Sequence, residues 1–538
     1  PNSAERRYQK TLSKNFTLYA DYKKNFNDRH DLSVMVGTSH ESENYDRFTA
    51  KRINFDQQEN MSLQLGSAQD QNAWSEGNQW TINSFFSRVN YTFANKYVIE
   101  GTIRADGSSR FDPDHRWGWF PGVNAAWRVG EEGFMKRLGW FEDLKVRASY
   151  GEMGNQSGIG LYDYIQLISL SNDYYPFGAG MKGQMATSGN IISTSRTWET
   201  IQTTNVGFDF STLNNRLYGS FDYFWKENKN MLIPKTYPSM LGADAPSTNS
   251  GHLSIHGWEI SLGWRDQIKD FSYSVRFNIS DAKNKVVDRV GSNLIKLGNN
   301  ETPTGYPLNS YFGYEFDGII QNEQELEAYK SRFSEGGIPG DLSVGDAMYK
   351  DLDGDGKLSV LGDGKEGSGD VKYLGDKNPR YNFGFNLSMA WKGFDLSAFI
   401  QGVGRRTMFL EGESRCPMPE AWYQSAEYWY GKTWTPERTD AQYPAITLKD
   451  KRNYNYYVST NTKFNVAYAR LKNLQFGYTI PQTLTSKAGL QKVRVYFSGE
   501  DLFEVHNTPN GWDPEENSGS ITSYPFTRNY SFGINVVF

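Results

Sequence analysis

Long runs of alternating apolar and polar residues are the feature that most limits how this chain of 538 residues can fold. From Tyr381 to Trp391 every odd position is apolar, with aromatic residues at both ends, and every even position is small or polar. After Lys392-Gly393 the alternation resumes and continues from Phe394 to Ile400. A repeat of two places successive side chains on opposite faces of a strand. This segment is therefore predicted to be a β-hairpin.

The same pattern recurs along the chain and predicts about 15 strands. Many runs reach ten residues or more, the length that a tilted strand needs to cross a bilayer, whereas the strands of a soluble sandwich are usually shorter. We therefore expect an all-β fold, a transmembrane antiparallel β-barrel. The predicted strands are residues 15–26, 31–46, 81–94, 96–107, 115–128, 143–153, 198–211, 215–229, 250–265, 269–282, 380–391, 394–408, 463–479, 491–503 and 525–538.

Composition excludes several other classes of protein. Only 38% of residues are hydrophobic although 15% are aromatic, and no run of about 18 apolar residues exists that could form a membrane-spanning helix. The net charge of -5 lacks the basic excess of a nucleic-acid-binding protein. The single cysteine, Cys416, cannot form an intrachain disulfide. No apolar stretch follows Pro1–Arg7, so a signal peptide is not predicted within this sequence.

The connections between the predicted strands alternate between short and long. Outer-membrane barrels have short periplasmic turns and long external loops. If the Lys392-Gly393 turn is periplasmic, residues 283–379 form one large extracellular excursion that includes Tyr311–Ile320, and residues 409–462 form a long extracellular loop. An odd count of 15 is unusual, because bacterial barrels normally have an even number of strands. Either the count is off by one or further strands precede this sequence.

Several motifs resemble the SusC/RagA-type TonB-dependent outer-membrane transporters, in the same order and over essentially the whole chain. The resemblance implies a 22-stranded barrel around an N-terminal plug. This chain would then be the C-terminal part, without the plug and the first strands. The motifs are Asn95-Lys96-Tyr97, ADGSSRF from Ala105, Trp119-Phe120-Pro121, LKVRASYGEMG from Leu144, NPRYNFGFNLSMAWKGFDLSAFIQG from Asn378, ARLKNLQFGYTIP from Ala469 and VRVYFSGEDLF from Val493.

The resemblance also implies a function: import of oligosaccharides across the bacterial outer membrane, driven through TonB, with a SusD-like surface lipoprotein as partner. The excursion 283–379 is the candidate contact for that lipoprotein, and TonB would bind the missing N-terminal part. Import of peptides is the alternative within the family. A non-transporting β-protein that binds glycans is the alternative of another class. An enzyme is not predicted, because the sequence has no GxSxG elbow and no Cys/His nucleophile context.

The most specific local motif is Asp351-Leu352-Asp353-Gly354-Asp355-Gly356-Lys357. It matches the first part of an EF-hand-type calcium loop, with carboxylates at positions 1, 3 and 5, glycine at 6 and a backbone carbonyl, that of Lys357, at 7. Position 12 is Gly362 instead of the bidentate glutamate. Further ligands must therefore come from elsewhere, and Asp363 and Asp370 are the candidates. We expect a structural Ca²⁺, and the family resemblance supports a site in this region.

Other motifs carry weaker signals. GAGMKG from Gly178 matches GxGxxG but lacks a βαβ context, and His252 and His256 lie too far apart on a strand for a zinc pair. Phe538 and Tyr530, in the alternating C-terminal strand, resemble the signal read by the barrel assembly machinery. Aromatic residues in the long loops could stack on sugars, although at least half are expected to be packing residues: Tyr162, Tyr164, Tyr174, Tyr175, Trp422, Tyr423, Tyr428, Trp429, Tyr430 and Trp434.

Overall fold

The computed structural model is dominated by β-strands. It describes residues 3–56, 61–69, 71–177, 181–188, 191–234, 246–289, 297–299, 303–360, 369–419, 424–447, 451–516, 519, 524 and 526–538. The strands of this described part are β1 Ser3–Phe26, β2 His30–Ile53, β3 Gln71–Phe93, β4 Tyr97–Ser108, β5 Trp117–Arg128, β6 Asp143–Asn155, β7 Ile168–Phe177, β8 Met181–Ser188, β9 Glu199–Thr212, β10 Leu217–Pro234, β11 Ser247–Ile268, β12 Phe271–Arg289, β13 Gly298–Asn299, β14 Ser310–Tyr314, β15 Phe316–Ile319, β16 Ala347–Tyr349, β17 Val371–Asp376, β18 Arg380–Trp391, β19 Phe394–Arg405, β20 Thr407–Met408, β21 Phe464–Asn465, β22 Tyr468–Thr479, β23 Lys492–His506 and β24 Asn529–Val537.

One 15-stranded sheet, called the wall below, contains most of these strands. Its order follows the chain, β1-β2-β3-β4-β5-β6-β9-β10-β11-β12-β18-β19-β22-β23-β24. The 15 predicted strands are confirmed, each by one strand of the wall. Strands that follow one another along the chain lie side by side in the wall, so the wall is a β-meander. Antiparallel neighbours of this kind can be joined by tight turns.

Short turns join the wall strands at one end, where left-handed backbone is required. In the β18–β19 hairpin Trp391 pairs with Phe394, and Lys392 and Gly393 have φ values of 46° and 89°. Two consecutive positive φ angles are the signature of the two-residue hairpin turn that matches strand twist. The predicted hairpin at this position is therefore confirmed.

The first three strands are much longer than predicted. β1 and β2 have 24 residues each and β3 has 23, whereas only residues 15–26, 31–46 and 81–94 were expected. At about 3.3 Å per residue, 24 residues span about 80 Å, more than twice the hydrocarbon thickness of a bilayer. The additional residues lack apolar alternation because a strand segment beyond the bilayer contacts no lipid, so the pattern could not reveal them.

Helices are short and few in the described part of the chain: α1 Gly133–Leu138, α2 Glu323–Lys330, α3 Lys451–Asn455 and α4 Gln482–Thr485. None of these helices is long and apolar enough to cross a membrane. The start of α2 follows local chemistry, because the Asn322 side chain accepts a hydrogen bond from the Glu325 N–H at 2.9 Å. This N-cap could have been predicted from the sequence.

The contacts divide the chain into two compact units. The first comprises residues 1–128, 147–205 and 226–252, and the second comprises residues 129–146, 206–225 and 253–538. The first unit has a small buried cluster of Phe111, Phe120, Ile159 and Trp198. In the second unit, the largest buried clusters lie outside the wall, in the segments that connect its strands.

Between β12 and β18 the chain leaves the wall. The predicted extracellular excursion of residues 283–379, called the external excursion after that prediction, begins with the last residues of β12. It contains a three-stranded sheet in which β14 pairs with β13 and β17, and a two-stranded sheet of β15 and β16. The Tyr311–Ile320 stretch therefore belongs to these small sheets and not to the wall. A further hairpin, β7–β8, lies in the first unit; sequence analysis missed it because it has no regular alternation.

Candidate functional site

Three carboxylates converge in the external excursion. Asp351, Asp353 and Asp370 each offer an oxygen, and these oxygens lie within 4.8 Å of one another. Asp351 and Asp353 come from the predicted calcium-type loop, and Asp370 immediately precedes β17. Asp363, the other predicted ligand, lies outside the described residues.

The loop is shaped by hydrogen bonds between its own aspartates and backbone. The Asp351 carboxylate accepts from Gly354 N–H at 2.6 Å and from Gly356 N–H at 2.9 Å. Both glycines have left-handed backbone, with φ values of 76° and 75°, which glycine adopts without steric cost. The DGDG sequence thus folds into a tight turn that keeps the Asp351 side chain inside it.

Asp370 closes the group from the far side of the loop. Its side chain is buried, and it accepts hydrogen bonds from Leu352 N–H at 2.6 Å and Ser359 N–H at 2.7 Å. Burial raises the pKa of the Asp370 carboxyl; the two backbone donors oppose this, and the negative charges of Asp353 and Asp351 add to it. A bound cation would remove this repulsion.

Asp355, predicted as a ligand together with the Lys357 carbonyl, is placed differently. The Asp355 carboxylate accepts from the Lys357 N–H at 2.8 Å and is not one of the three converging carboxylates. Ca²⁺ is a hard cation that binds six to eight oxygen ligands, supplied by carboxylates, carbonyl groups and water. The group of Asp351, Asp353 and Asp370 fits the carboxylate part of such a ligand set.

The acidic loop is fastened to the body of the excursion. Ser334 donates to the Gly356 carbonyl from its N–H at 2.7 Å and from its Oγ at 3.0 Å. Leu358 N–H donates to the Gly337 carbonyl at 3.0 Å. Because residues 331–337 follow α2 directly, the position of the loop is coupled to that helix.

The external excursion and the loop 409–462 form one folded body, which we call the external module. Their shared core contains Tyr314, Ile320, Leu326, Tyr329, Leu342, Ala347, Tyr349 and Tyr454. Tyr329 and Tyr454 join their hydroxyl groups at 2.7 Å, and Tyr349 donates its hydroxyl to the Tyr454 carbonyl at 2.9 Å. Sequence reasoning treated the two segments separately, because no local signal marks a contact across 100 residues.

Backbone and amide contacts reinforce this junction. Tyr314 N–H donates to the Val458 carbonyl at 3.0 Å. Buried Asn455 donates to Asp346 at 2.8 Å and accepts from Ala347 N–H at 3.0 Å. Buried polar groups that are paired in this way specify one arrangement of the two segments, since separation would leave them unsatisfied.

A second core fills the rest of the loop 409–462. It consists of Met408, Leu410, Cys416, Tyr428, Trp429, Tyr443, Tyr456, Val466 and Trp512. Trp512 comes from the β23–β24 connection. Two arginines also bind residues of this connection. Arg406 donates to the carbonyls of Pro514 and Glu516 at 2.7 and 2.9 Å, and Arg470, 2% exposed, pairs with Asp513 and Glu515.

The loop aromatics predicted as possible sugar platforms therefore divide into two groups. Tyr428 and Trp429 are buried core residues, whereas Tyr430 is 90% exposed. Trp434 uses its indole N–H to bind Gln321 at 3.1 Å, and Tyr162 and Tyr164 hydrogen-bond Gln79 and Arg116. The side chains of Tyr174, Tyr175, Trp422 and Tyr423 lie outside the described residues.

The weaker motifs have no shared site. His252 pairs with Glu227 at 2.5 Å, and residues 178–180 of the glycine motif lie outside the described residues. Phe538 and Tyr530 are 82% and 61% exposed, at the end and start of the last strand of the wall.

Comparison with known proteins gives a consistent family assignment. Residues 1–502 match the family described as TonB dependent receptor-like, beta-barrel. The chain is 31% identical to TonB-dependent receptor P3 of Formosa agariphila over 558 aligned residues, which cover 98% of this chain and 52% of that protein. It is 27% identical to TonB-dependent receptor SusC of Bacteroides thetaiotaomicron, over 99% of this chain and 50% of that protein.

The fold has a counterpart among solved structures. The structure of the RagAB peptide transporter superposes with a TM-score of 0.80 at 24% identity, covering 99% of this chain and 56% of that one. The chain thus spans about half the length of the curated relatives it matches. The chain, with its wall and external module, therefore corresponds in fold to about half of that solved chain.

Proposed function

The chain belongs to the TonB dependent receptor-like β-barrel family, and from this premise we propose that it forms the wall and the outer surface of a SusC/RagA-type importer. Proteins of this family reside in the outer membrane, which is therefore the location of the chain as well. The proposed activity is the TonB-dependent uptake of oligosaccharides. TonB is the proposed source of energy for this uptake.

The observation that carries the transport proposal is the family match across a 15-stranded antiparallel wall. Such a wall exposes apolar side chains on one face; in β4, for example, Tyr97, Ile99 and Ile103 are 45%, 53% and 45% exposed. In lipid this face needs no cover, and the strands satisfy one another's backbone groups. A soluble glycan-binding protein would expose this apolar face to water, which argues against that alternative.

An oligosaccharide is the proposed cargo because of the SusC-like sequence and the chemistry of the external module. Tyr430, which follows buried Trp429 in the chain, has a side chain that is 90% exposed, and flat rings of this kind stack on sugars. A peptide is the alternative cargo, since the RagAB structures with the same fold are titled as those of a peptide importer. A SusD-like lipoprotein is the proposed partner, with the external excursion as its contact.

A structural Ca²⁺ is proposed at Asp351, Asp353 and Asp370. The carboxylates converge around a loop that is fastened to α2, so a cation there would hold the acidic loop in place on the module. The ion would supply charge neutralisation and rigidity to this region, and no step of transport is assigned to it.

Growth of a gene-deletion strain tests the cargo directly. The strain is supplied with single oligosaccharide fractions, with the matching monosaccharides, or with peptides as the limiting nutrient. We expect loss of growth on one oligosaccharide class, normal growth on its monosaccharide and on peptides, and full recovery with the intact gene. Monosaccharides serve as the control because they pass general porins. Selective loss of growth on peptides would favour the alternative cargo, and unchanged growth throughout would contradict import of either nutrient.

A further inference from the structure

The connection between β5 and β6 exposes an unusual number of large apolar side chains. In α1 and the residues after it, Phe134, Leu138 and Trp140 are 49%, 50% and 67% exposed. Phe134 and Leu138 are four residues apart and therefore share one face of the helix. In the short β9–β10 turn, Leu213 is 55% exposed as well.

Hydrogen bonds hold this connection against the β9–β10 turn. Thr212 Oγ1 donates to the Trp140 carbonyl at 2.5 Å, and Glu142 N–H donates to the Ser211 carbonyl at 3.0 Å. The Asn214 N–H donates to the Glu142 carboxylate at 2.7 Å. The exposed side chains of the connection and of the turn thus belong to one fixed surface at the end of the wall, and not to a loose loop.

This surface continues an apolar row of the wall. The Phe141 ring contacts the Phe210 ring edge-on, with centroids 6.3 Å apart. Phe210 shares its strand face with Phe208 and Val206, which are 39% and 43% exposed. The opposite face of β9 carries Asp209, which pairs with Lys145 at 2.8 Å. The row of Val206, Phe208 and Phe210 is therefore the lipid-facing side of the strand.

We propose that residues 133–141, together with Leu213, form an interfacial anchor that is seated in the headgroup and upper acyl-chain region of the phospholipid leaflet at the short-turn end of the wall. An amphipathic helix that continues a lipid-facing surface lies in the membrane interface, and tryptophan is enriched there because its ring is apolar and its N–H is polar. The occupant of this surface is lipid, since the row that it extends already faces lipid. The proposal does not depend on the cargo.

The other side of α1 is polar. Lys136 lies two positions from Leu138, about 200° around the helix, and pairs with Glu131 at 2.6 Å. The anchor therefore predicts that positions 134, 138 and 140 contact lipid while position 136 contacts water. If the whole segment only lay close to the membrane, position 136 would not differ from positions 134, 138 and 140. The predicted difference between them is therefore specific to the anchor.

The test uses environment-sensitive fluorescence in the whole transporter, reconstituted in phosphatidylethanolamine/phosphatidylglycerol bilayers. Single variants Phe134→Cys, Leu138→Cys, Trp140→Cys and Lys136→Cys are labelled with a nitrobenzoxadiazole probe. The parent protein, treated with the same probe, is the background control. Its one cysteine, Cys416, is buried and should therefore not be labelled. Emission is recorded with lipids that carry a nitroxide near the headgroup or deep in the acyl chain, and with aqueous iodide. Heat-modifiable migration in gels confirms that each variant is folded.

The anchor predicts blue-shifted emission at 134, 138 and 140, with strong quenching by the shallow nitroxide, weaker quenching by the deep one, and protection from iodide. At 136 it predicts red-shifted emission that iodide quenches. Equal iodide quenching at all four positions in folded variants would overturn the proposal. So would stronger quenching by the deep nitroxide at every position, because the segment would then lie in the hydrocarbon core.

Discussion

The acidic loop shows how single residues decide a site. The DGDG repeat supplies left-handed glycines and the Asp351 turn locally, but the third converging carboxylate, Asp370, comes from 15 or more positions later in the chain. The motif by itself ranks Asp355 above Asp370, whereas the fold favours Asp370, because an oxygen of Asp370 lies within 4.8 Å of oxygens of Asp351 and Asp353 and Asp355 does not belong to this group.

Charge removal at Asp370 is expected to weaken cation binding more than charge removal at Asp355. For Asp370→Asn we expect at least about a tenfold rise in the Ca²⁺ dissociation constant, equivalent to about 1.4 kcal/mol, and little change for Asp355→Asn. Terbium luminescence, sensitised by nearby tyrosines and competed with Ca²⁺, measures both. An equal loss of affinity in the two variants would show that Asp355 is a ligand, as the EF-hand-like motif predicts. Undetectable binding by the unaltered protein would contradict the calcium proposal.

Glu315 makes the external module sensitive to acid. Hydrogen bonds from Lys350, at 2.7 Å, and from Lys372 hold the pKa of the Glu315 carboxyl at about 2, below its ordinary value of 4.5. A carboxyl whose pKa is lowered by folding stabilises the folded state fully above the unfolded value. This stabilisation is lost as the pH falls from about 4.5 towards 2.

Glu315→Gln should therefore lower the melting temperature of the module at pH 7 and flatten its decline between pH 5 and pH 3, by a small amount because the carboxyl is partly exposed. Thermal unfolding, followed by tyrosine fluorescence across this pH range, provides the measurement. Glu335→Gln, at an exposed position of the same excursion, is the matched control. Parallel pH profiles for both variants would contradict this role for Glu315.

At the scale of elements, close backbone contact joins β14 to the loop 409–462. A Cβ at Gly313 would lie 2.3 Å from the Val458 carbonyl oxygen. Gly313→Ala is therefore expected to push β14 away from residues 457–460 and to destabilise the module by about 1–3 kcal/mol. Gly340→Ala is the control, because nothing lies within 4 Å of its Cβ position.

Limited proteolysis measures this effect. We expect faster cleavage in residues 451–462 of Gly313→Ala and unchanged cleavage in Gly340→Ala, with both variants retaining the heat-modifiable migration of a folded wall. Identical cleavage rates for the two variants would show that the contact does not hold the loop.

The last strand is expected to carry an assembly signal as well as a lipid face. Tyr530, Phe532 and Ile534 of β24 and Phe538 directly after it are exposed, and the register of β24 with β23 pairs Val493 with Val536. Deletion of Phe538 should reduce the amount of protein in the outer membrane several-fold, whereas Asn535→Ala in the same strand should not. Quantitative immunoblots of membrane fractions test this, and an unchanged yield after the deletion would count against the signal.

At the scale of the whole molecule, the wall and the external module depend on different forces. Wall strands satisfy one another's backbone and are held by lipid on one face. The external module depends on its tyrosine-rich core and on the acidic loop. Chelation of Ca²⁺ should therefore accelerate amide exchange in residues 331–360 and 369–376 and leave β18, β19 and β22 unchanged. A uniform acceleration, or none, in mass-spectrometric exchange would contradict this division.

The family resemblance rested on specific motifs, but alternation alone was sufficient to predict the 15 strands of the wall and the tight hairpin at Lys392-Gly393. The physical reason is that successive side chains of a wall strand point alternately to lipid and to water, so each short stretch of sequence shows the pattern by itself. Residues 3–14 of β1 have no face against lipid and therefore no alternation, so the strand was predicted to begin too late, at residue 15.

Tertiary structure alone decided the union of the excursion with the loop 409–462, the choice of Asp370, and the burial of Tyr428 and Trp429 beside the exposure of Tyr430. Each depends on contacts between residues far apart in the chain, such as Tyr329 with Tyr454. An aromatic or acidic residue has the same local sequence signature whether it packs, binds a ligand or faces lipid. Only the positions of its distant neighbours distinguish these roles.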